Sequence, residues 1–265
     1  MLCGIHPTSS ESNAGLYNNV IALMIVMVFF KRKTEKSIMS LIPAATVMIT
    51  HAEESQPAFL LVRRHPSVPV LGNVWVFPGG RLSEADTSNA NPNKALRACA
   101  ARETKEEAGL NLDPSRLIRI LQWETPENIL KRFDTRFFAA VLDRRPTVRV
   151  DGYEIIDHRW LTAGAALRHH DLNKIQLSPP AYVLLSWAAA LRTTDQFLAF
   201  FRKDPTQRVK PRNIALADGS CNLFKDDVAY ESGDLALEGD RHRLWMRASG
   251  WCYEGGPFQQ SIVKQ

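Results

Sequence analysis

Arg102-Glu103-Thr104-Lys105-Glu106-Glu107-Ala108-Gly109-Leu110 is the stretch on which the reading of this chain turns. It closes a run from Ala95 to Leu110 whose composition is helical, with Gly109 as the stop signal. At about 100° per residue, Glu103, Glu106 and Glu107 stand at i, i+3 and i+4 and share one face. Backward along that face lie Leu96, Cys99 and Ala100; forward lies Leu110. The carboxylates therefore extend an apolar stripe. Like charges at this spacing repel, and partly buried carboxylates are costly unless paired or bound to metal. Three such donors suit a hard divalent cation, Mg2+ or Mn2+, which keeps waters and takes substrate phosphates as further ligands. That is the chemistry of Lewis-acid activation and of an activated water. The same residues have a second reading, an exposed acidic helix laced to Arg102 and Lys105.

Upstream, Trp75-Val76-Phe77-Pro78-Gly79-Gly80 ends a short strand in paired glycines, which permit positive φ and close approach of backbone to a ligand. Glycine turn and acidic helix together resemble the Nudix hydrolase signature, G-x5-E-x7-R-E-U-x-E-E-x-G-U. Gly80 takes its first position, and Arg102 to Leu110 its second half without a gap. Two departures stand out. Gly80 and Arg102 are 22 positions apart where the pattern has 14, so eight residues are inserted. Counting six from Gly80 gives Asp86, one methylene shorter than the pattern's acid; counting eight back from Arg102 gives Lys94. Asp86 is the better candidate, and the insertion then falls after it, in a polar surface loop over 87–93. Thr104 also replaces the usual aliphatic residue.

FLLVRRHPSVPVLGNVWVFPGGRL, KRFDTRFFAAVL, EIIDHRWLT and LSPPAYVLL further resemble the coenzyme A diphosphatase branch with an expanded Nudix box, over about Leu41 to Arg192. The resemblance implies metal-dependent hydrolysis of the diphosphate in a nucleoside diphosphate derivative, such as coenzyme A or an acyl-CoA. It implies that Glu103, Glu106 and Glu107 hold Mg2+ or Mn2+ with the Gly80 carbonyl. One glutamate, Glu103 or Glu106 in first place, helps activate water, and Arg102 orients Glu103. The other class of function is a non-catalytic module that senses a nucleotide; intact glutamates argue against it. Arg63 and Arg64, at a strand end, are candidate phosphate partners. Phe137, with Phe133 four residues before it, is a candidate for stacking on a base.

The remaining pattern gives strands at Ala44–Thr50, Ala58–Arg63 and Val74–Phe77, then Leu117–Trp123, Thr135–Leu142 and Tyr153–Leu161. Thr162 and Pro179-Pro180 open helices. The expected fold is α+β, a Nudix-type α/β/α sandwich with a mixed sheet and a helical C-terminal extension. The expected organisation is a non-core segment 1–38, a catalytic domain 39–193 and an extension 194–265 of unassigned role.

Composition closes off other classes. The 265 residues carry 33 basic and 28 acidic side chains, and the small excess is spread along the chain. A nucleic-acid binder concentrates it on a stripe with interleaved aromatics, so the expected partner is a small nucleotide and not a nucleic acid. Cys3, Cys99, Cys221 and Cys252 form no C-x-x-C pair, and a reducing, cytoplasmic setting fits them. Val20 to Phe30 is eleven apolar residues, against the roughly 20 that span a bilayer, with its positive charges after the run. Of two readings, a weak anchor and a true start at Met39, the second is expected.

Overall fold

The computed structural model describes residues 40–51, 56–88 and 91–256. The segment 1–38, with its apolar run, lies outside them. Eight strands of the described residues form one mixed sheet. At its centre β1 (Ile42–His51) pairs in parallel with β6 (Phe133–Leu142) along its whole length, Ile42 opposite Phe133 and His51 opposite Leu142. On one side of β1 follow β2 (Ala58–Arg64) and β3 (Trp75–Val76), with β7 (Ile155–Thr162) also paired to β2. Next to β6 comes β5 (Ile118–Glu124), edged by β8 (Arg208–Val209). The short β4 (Gly79–Arg81) hydrogen-bonds to the start of β1, Ala45 opposite Gly80.

Period-two alternation in β1 sorts its side chains between two layers. Ala45, Val47 and Ile49 face α1 (Pro92–Ala108), where Cys99, Ala100 and Ala108 complete the packing. Met48 faces the opposite layer, built by α2 (Ala163–Asp171), α3 (Pro179–Ala188) and α4 (Thr194–Arg202). Thr162, Ser178 and Thr193 cap these three helices through their hydroxyls, as residues of this type do at an N-cap. The α+β sandwich with a mixed sheet is thus as expected.

The C-terminal part differs from the helical extension expected of it. Among the described residues after 193, α4 is the one α-helix, β8 edges the main sheet, and β9 (Arg212–Leu216), β10 (Gly219–Leu223), β11 (His242–Arg247) and β12 (Gly250–Gly255) form a four-stranded antiparallel sheet in that order. The physical reason is local. Two-residue loops, Ala217-Asp218 and Ala248-Ser249, each precede a glycine at positive φ and close two antiparallel hairpins. This segment shares the main core: Phe197, Phe201, Phe224, Leu244 and Met246 pack with Phe59, Trp123 and Trp187.

On either side of residues 89 and 90, which lie outside the described residues, the structure departs from the loop expected over 87–93. A 3-10 helix runs Glu84–Ser88, and α1 begins at Pro92. Asn91 caps α1 by accepting the Asn93 N–H at 2.9 Å, and Pro92 follows at the first helical position, where its missing N–H costs nothing.

Candidate active site

The C-terminal turns of α1 meet the β4 strand. Gly109 ends the helix in the left-handed region at φ 69°, its N–H donating to the Lys105 carbonyl. The preceding turn presents the three glutamates differently. Glu107 is buried, Glu103 is partly buried and Glu106 is exposed. The common face inferred from spacing is thus graded from interior to solvent. Thr104 faces the interior too, and its hydroxyl is satisfied by the Ala100 carbonyl at 2.8 Å, so the unusual residue leaves no orphaned polar group.

Gly79 and Gly80 are there because nothing larger fits. A Cβ on Gly79 would sit 2.3 Å from the Ala45 carbonyl oxygen. A Cβ on Gly80 would sit 2.3 to 2.5 Å from the Glu103 carboxyl group. The Glu103 carboxylate therefore lies directly over the Gly80 backbone. Behind it, the Gly79 N–H donates to Glu107 Oε2 at 2.9 Å. The other oxygen, Glu107 Oε1, is buried without a hydrogen bond, and Arg64 Nη1 stands 3.8 Å from it. Burial pushes the Glu107 carboxyl up to about 8, against the Gly79 N–H and Arg64, with Glu103 and Glu154 adding to the rise. Glu103 is raised as well, first by burial, with repulsion from Glu106 and Glu154 working against Arg102.

Arg102 organises the cluster. It donates from Nε to Asp86 Oδ1 at 3.0 Å and from Nη2 to Asp86 Oδ2 at 2.9 Å, a two-pronged grip on a buried carboxylate. The same Nη2 is 2.9 Å from Glu103 Oε1, and Nη1 donates to Glu106 Oε2 at 2.8 Å. Burial raises the Asp86 carboxyl, but bonds from Arg102 and Ser83 bring it below its ordinary value. Asp86, the shorter acid six positions after Gly80, is thus a partner of Arg102.

A further acid, Glu154, which sequence reasoning missed, joins Glu103, Glu106 and Glu107 here. Its carboxylate accepts from Arg64 Nη2 at 2.6 Å. The turn before β7 fixes it: Asp151 Oδ1 accepts the N–H groups of Tyr153, Glu154 and Ile155 at 2.6, 2.9 and 3.1 Å. The sequence signal was Asp151-Gly152 three residues ahead, a turn that aims the next acid. Arg64 bridges this turn to Glu107 and also donates to the Val70 carbonyl at 3.0 Å.

Among the described residues, no three His, Cys, Asp or Glu side chains stand close enough to form a ready cation cage. Arg102 ties up Glu103 and Glu106. The donor set nevertheless fits a hard cation: an orphaned oxygen on Glu107, crowded carboxylates with raised pKa values, and a backbone approach that only glycine permits.

A cleft of about 700 Å³ opens from this cluster. Gly80, Glu103, Glu106, Arg64 and Glu154 line one end. Phe137, 4% exposed, forms part of the floor with Thr46 and Thr135, and Phe133 on the same strand face is the more accessible ring, with Lys131 Nζ 5.6 Å from its centroid. Arg63 is not among the lining residues; it stands 3.8 Å from Asp157 and 5.9 Å over the Trp75 ring.

Comparison with known proteins supports the same region. Residues 41–182 match the family model of the NUDIX domain. The chain is 30% identical to an acyl-coenzyme A diphosphatase, NUDT19, of Xenopus laevis, over 68% of this chain and 73% of that protein. It is 27% identical to the human protein of that name, over 70% of this chain but only 50% of the other. Among solved structures, a NUDIX hydrolase of Alicyclobacillus acidocaldarius superposes with a TM-score of 0.54 at 21% identity, over 62% of this chain and 97% of that one. That last likeness concerns the fold.

Proposed function

Because the chain belongs to the Nudix family and is a diphosphohydrolase, we propose that its substrate is coenzyme A or an acyl-coenzyme A. The observation that carries this is the pairing of the crowded carboxylate end with a mostly apolar cleft of about 700 Å³, roomy enough for more than a bare nucleoside diphosphate. The identity to acyl-coenzyme A diphosphatases points the same way.

Nudix enzymes use divalent metal ions, and here Glu103, Glu106, Glu107 and the Gly80 carbonyl would hold Mg2+ or Mn2+. The cation supplies Lewis acidity to the phosphoryl group and lowers the pKa of a water. The chain's own residues do the rest. Glu107, through the Gly79 N–H, fixes the glycine turn beneath the phosphates. Arg102, held by Asp86, keeps Glu103 at the cleft wall. Glu103 or Glu106 accepts one proton of the attacking water. The water oxygen bonds to one phosphorus, the bond from that phosphorus to the bridging oxygen breaks, and the bridging oxygen leaves with the electron pair on the second phosphate. Coenzyme A would yield adenosine 3′,5′-bisphosphate and 4′-phosphopantetheine. Arg64, tethered by Glu154, and Phe133 or Phe137 are the proposed contacts to phosphate and base; Arg63 has the weaker claim, since it lies off the cleft.

No helix of the described residues is long and apolar enough to cross a membrane. A cytoplasmic setting is part of this reading, supported by free thiols at Cys99, Cys221 and Cys252.

The test is a substrate panel with Mg2+ or Mn2+ present: coenzyme A, an acyl-coenzyme A, ADP-ribose, a dinucleoside polyphosphate and NADH. The coenzyme A compounds should show the highest kcat/KM. Preference for ADP-ribose or a dinucleotide by tenfold or more would reject the substrate assignment and leave the diphosphohydrolase chemistry standing.

A further inference from the structure

The C-terminal sheet lies outside the span that matches the NUDIX domain, yet it closes the cleft. Its alternation puts two cross-strand rows on the cleft side. One joins Ser220, Met246 and Trp251; the other joins Asn213 to Asn222. Cys221 and Leu223, one step out of phase, pack on the opposite face of the sheet.

These rows stand at the end of the cleft away from the carboxylates. The carboxylate end rests on β1 and β4, whereas the second sheet packs on β5, where the Trp123 and Phe224 rings are 5.7 Å apart. Two strand spacings, about 10 Å, separate β1 from β5. The wall is also held rigidly. The Trp251 ring meets His170 at a tilt, 4.7 Å between centroids, and Tyr182 edge-on at 5.5 Å; the Tyr182 hydroxyl donates to the Trp251 carbonyl, and Trp187 Nε1 donates to the Tyr253 hydroxyl at 2.7 Å.

The chemistry of the two ends differs. The first is ionic. The second carries side-chain amides and a hydroxyl among apolar groups. Asn128 Nδ2 donates to Asn213 Oδ1 at 2.9 Å, and Asn213 Nδ2 donates to Asn222 Oδ1 at 2.7 Å. This relay orients the buried Asn222 and uses one N–H of each of Asn128 and Asn213, leaving the second N–H of Asn213 and the Asn222 Nδ2 group outside the chain of bonds. An amide fixed at the wall of an apolar cleft recognises a neutral group with its own donors and acceptors, and rejects one lacking them because the site would be left unpaired.

We propose that this wall is the specificity subsite of the enzyme, and that Asn222, Asn213 and Ser220 bind an uncharged arm bearing amide and hydroxyl groups, carried on the far side of the diphosphate. The inference rests on the coenzyme A reading, because the pantetheine arm is such a group.

The test uses full-length protein and binding alone. Pantetheine carries the arm without either phosphate; ADP carries the diphosphate without the arm. Pantetheine, at concentrations on the order of 10 mM to suit the weak binding of a fragment, should shift the side-chain amide resonances of Asn213 and Asn222. Asn222→Leu should weaken pantetheine tenfold or more and change ADP binding less than twofold. Because Asn222 is buried, Ser220→Ala serves as a milder second variant, expected to weaken pantetheine several-fold with ADP unaffected. Absence of shifts at both asparagines, or variants that weaken ADP as much as pantetheine, would overturn the proposal. Neither result depends on turnover, so a failed substrate panel and a failed subsite remain distinguishable.

Discussion

Gly80→Ala adds one methyl group where the backbone runs directly under the Glu103 carboxylate. The backbone at Gly80 is not in the left-handed region, so alanine is conformationally acceptable there. The added carbon would lie 2.3 Å from Glu103 Cδ and 2.4 and 2.5 Å from its oxygens. Favourable carbon contacts begin near 3.5 Å, so the carboxylate must retreat by about 1 Å. Glu103 sits on the last turns of α1, which is anchored by Cys99, Ala100 and Ala108, so the side chain moves and the helix stays. Moving it breaks the 2.9 Å pairing with Arg102. A displacement of about 1 Å in a positioned group costs on the order of 10²-fold in rate, or about 2.7 kcal/mol in the barrier. Stability should change by less than about 1 kcal/mol, since a partly exposed side chain absorbs the strain. Steady-state kinetics with saturating Mg2+, alongside a thermal melt, measure both. A variant with kcat within threefold of wild type, or one that loses activity only by unfolding, would refute the placement of Glu103 over Gly80 as functional.

Three further outcomes follow from packing and charge. Asp227→Asn should destabilise by about 3–5 kcal/mol, because Asp227 is bonded at 2.7 and 2.5 Å to Arg243, which is wholly buried. Burial raises the Asp227 carboxyl, but Arg243 and the His242 and Ala229 N–H groups bring it below 3.8; its stabilising contribution is therefore full above pH 3.8 and lost as the pH falls through the lower folded value, which denaturant titrations between pH 2 and 7 on both proteins would read as a steeper acid limb in wild type than in the variant. Asn91→Ala should cost about 1 kcal/mol in the same assay, by loss of the α1 cap. Phe197→Ala should cost about 3–5 kcal/mol, since its ring is fully buried against Phe59 and Phe201 at 5.1 Å each; a cost under 1 kcal/mol would show that the C-terminal segment does not share the main core.

Most strands and helices of residues 42–188 were legible because their signals are local; β4 was not, since its paired glycines read as a turn. β1 and β2 are apolar runs with a polar break, α1 ends at a glycine, and Thr162 and Ser178 stand at helix starts. The carboxylate cluster was legible because helical spacing alone brings Glu103, Glu106 and Glu107 together. Their graded burial was not, since it depends on how α1 rolls against β4. Asp86 was legible as a position, but its grip by Arg102 arises only when the 3-10 helix docks. Glu154 stands 47 positions after Glu107, with Arg64 paired to both, and only the Asp151-Gly152 turn marks it in the sequence. The C-terminal sheet went unread because its strands are five or six residues long and carry mixed polar faces, so alternation barely rises above noise.

The most direct test incubates coenzyme A and Mg2+ with wild type and with Glu106→Gln, and identifies products by mass spectrometry. Glu106→Gln removes one carboxylate charge from the exposed end of the cluster and keeps its size. Wild type should release adenosine 3′,5′-bisphosphate and 4′-phosphopantetheine in equal amounts, only with the metal present. The variant should fold normally and turn over at least about 10²-fold more slowly, roughly 3 kcal/mol in the barrier. Equal turnover by both proteins would contradict the account, as would products arising from cleavage anywhere but the diphosphate.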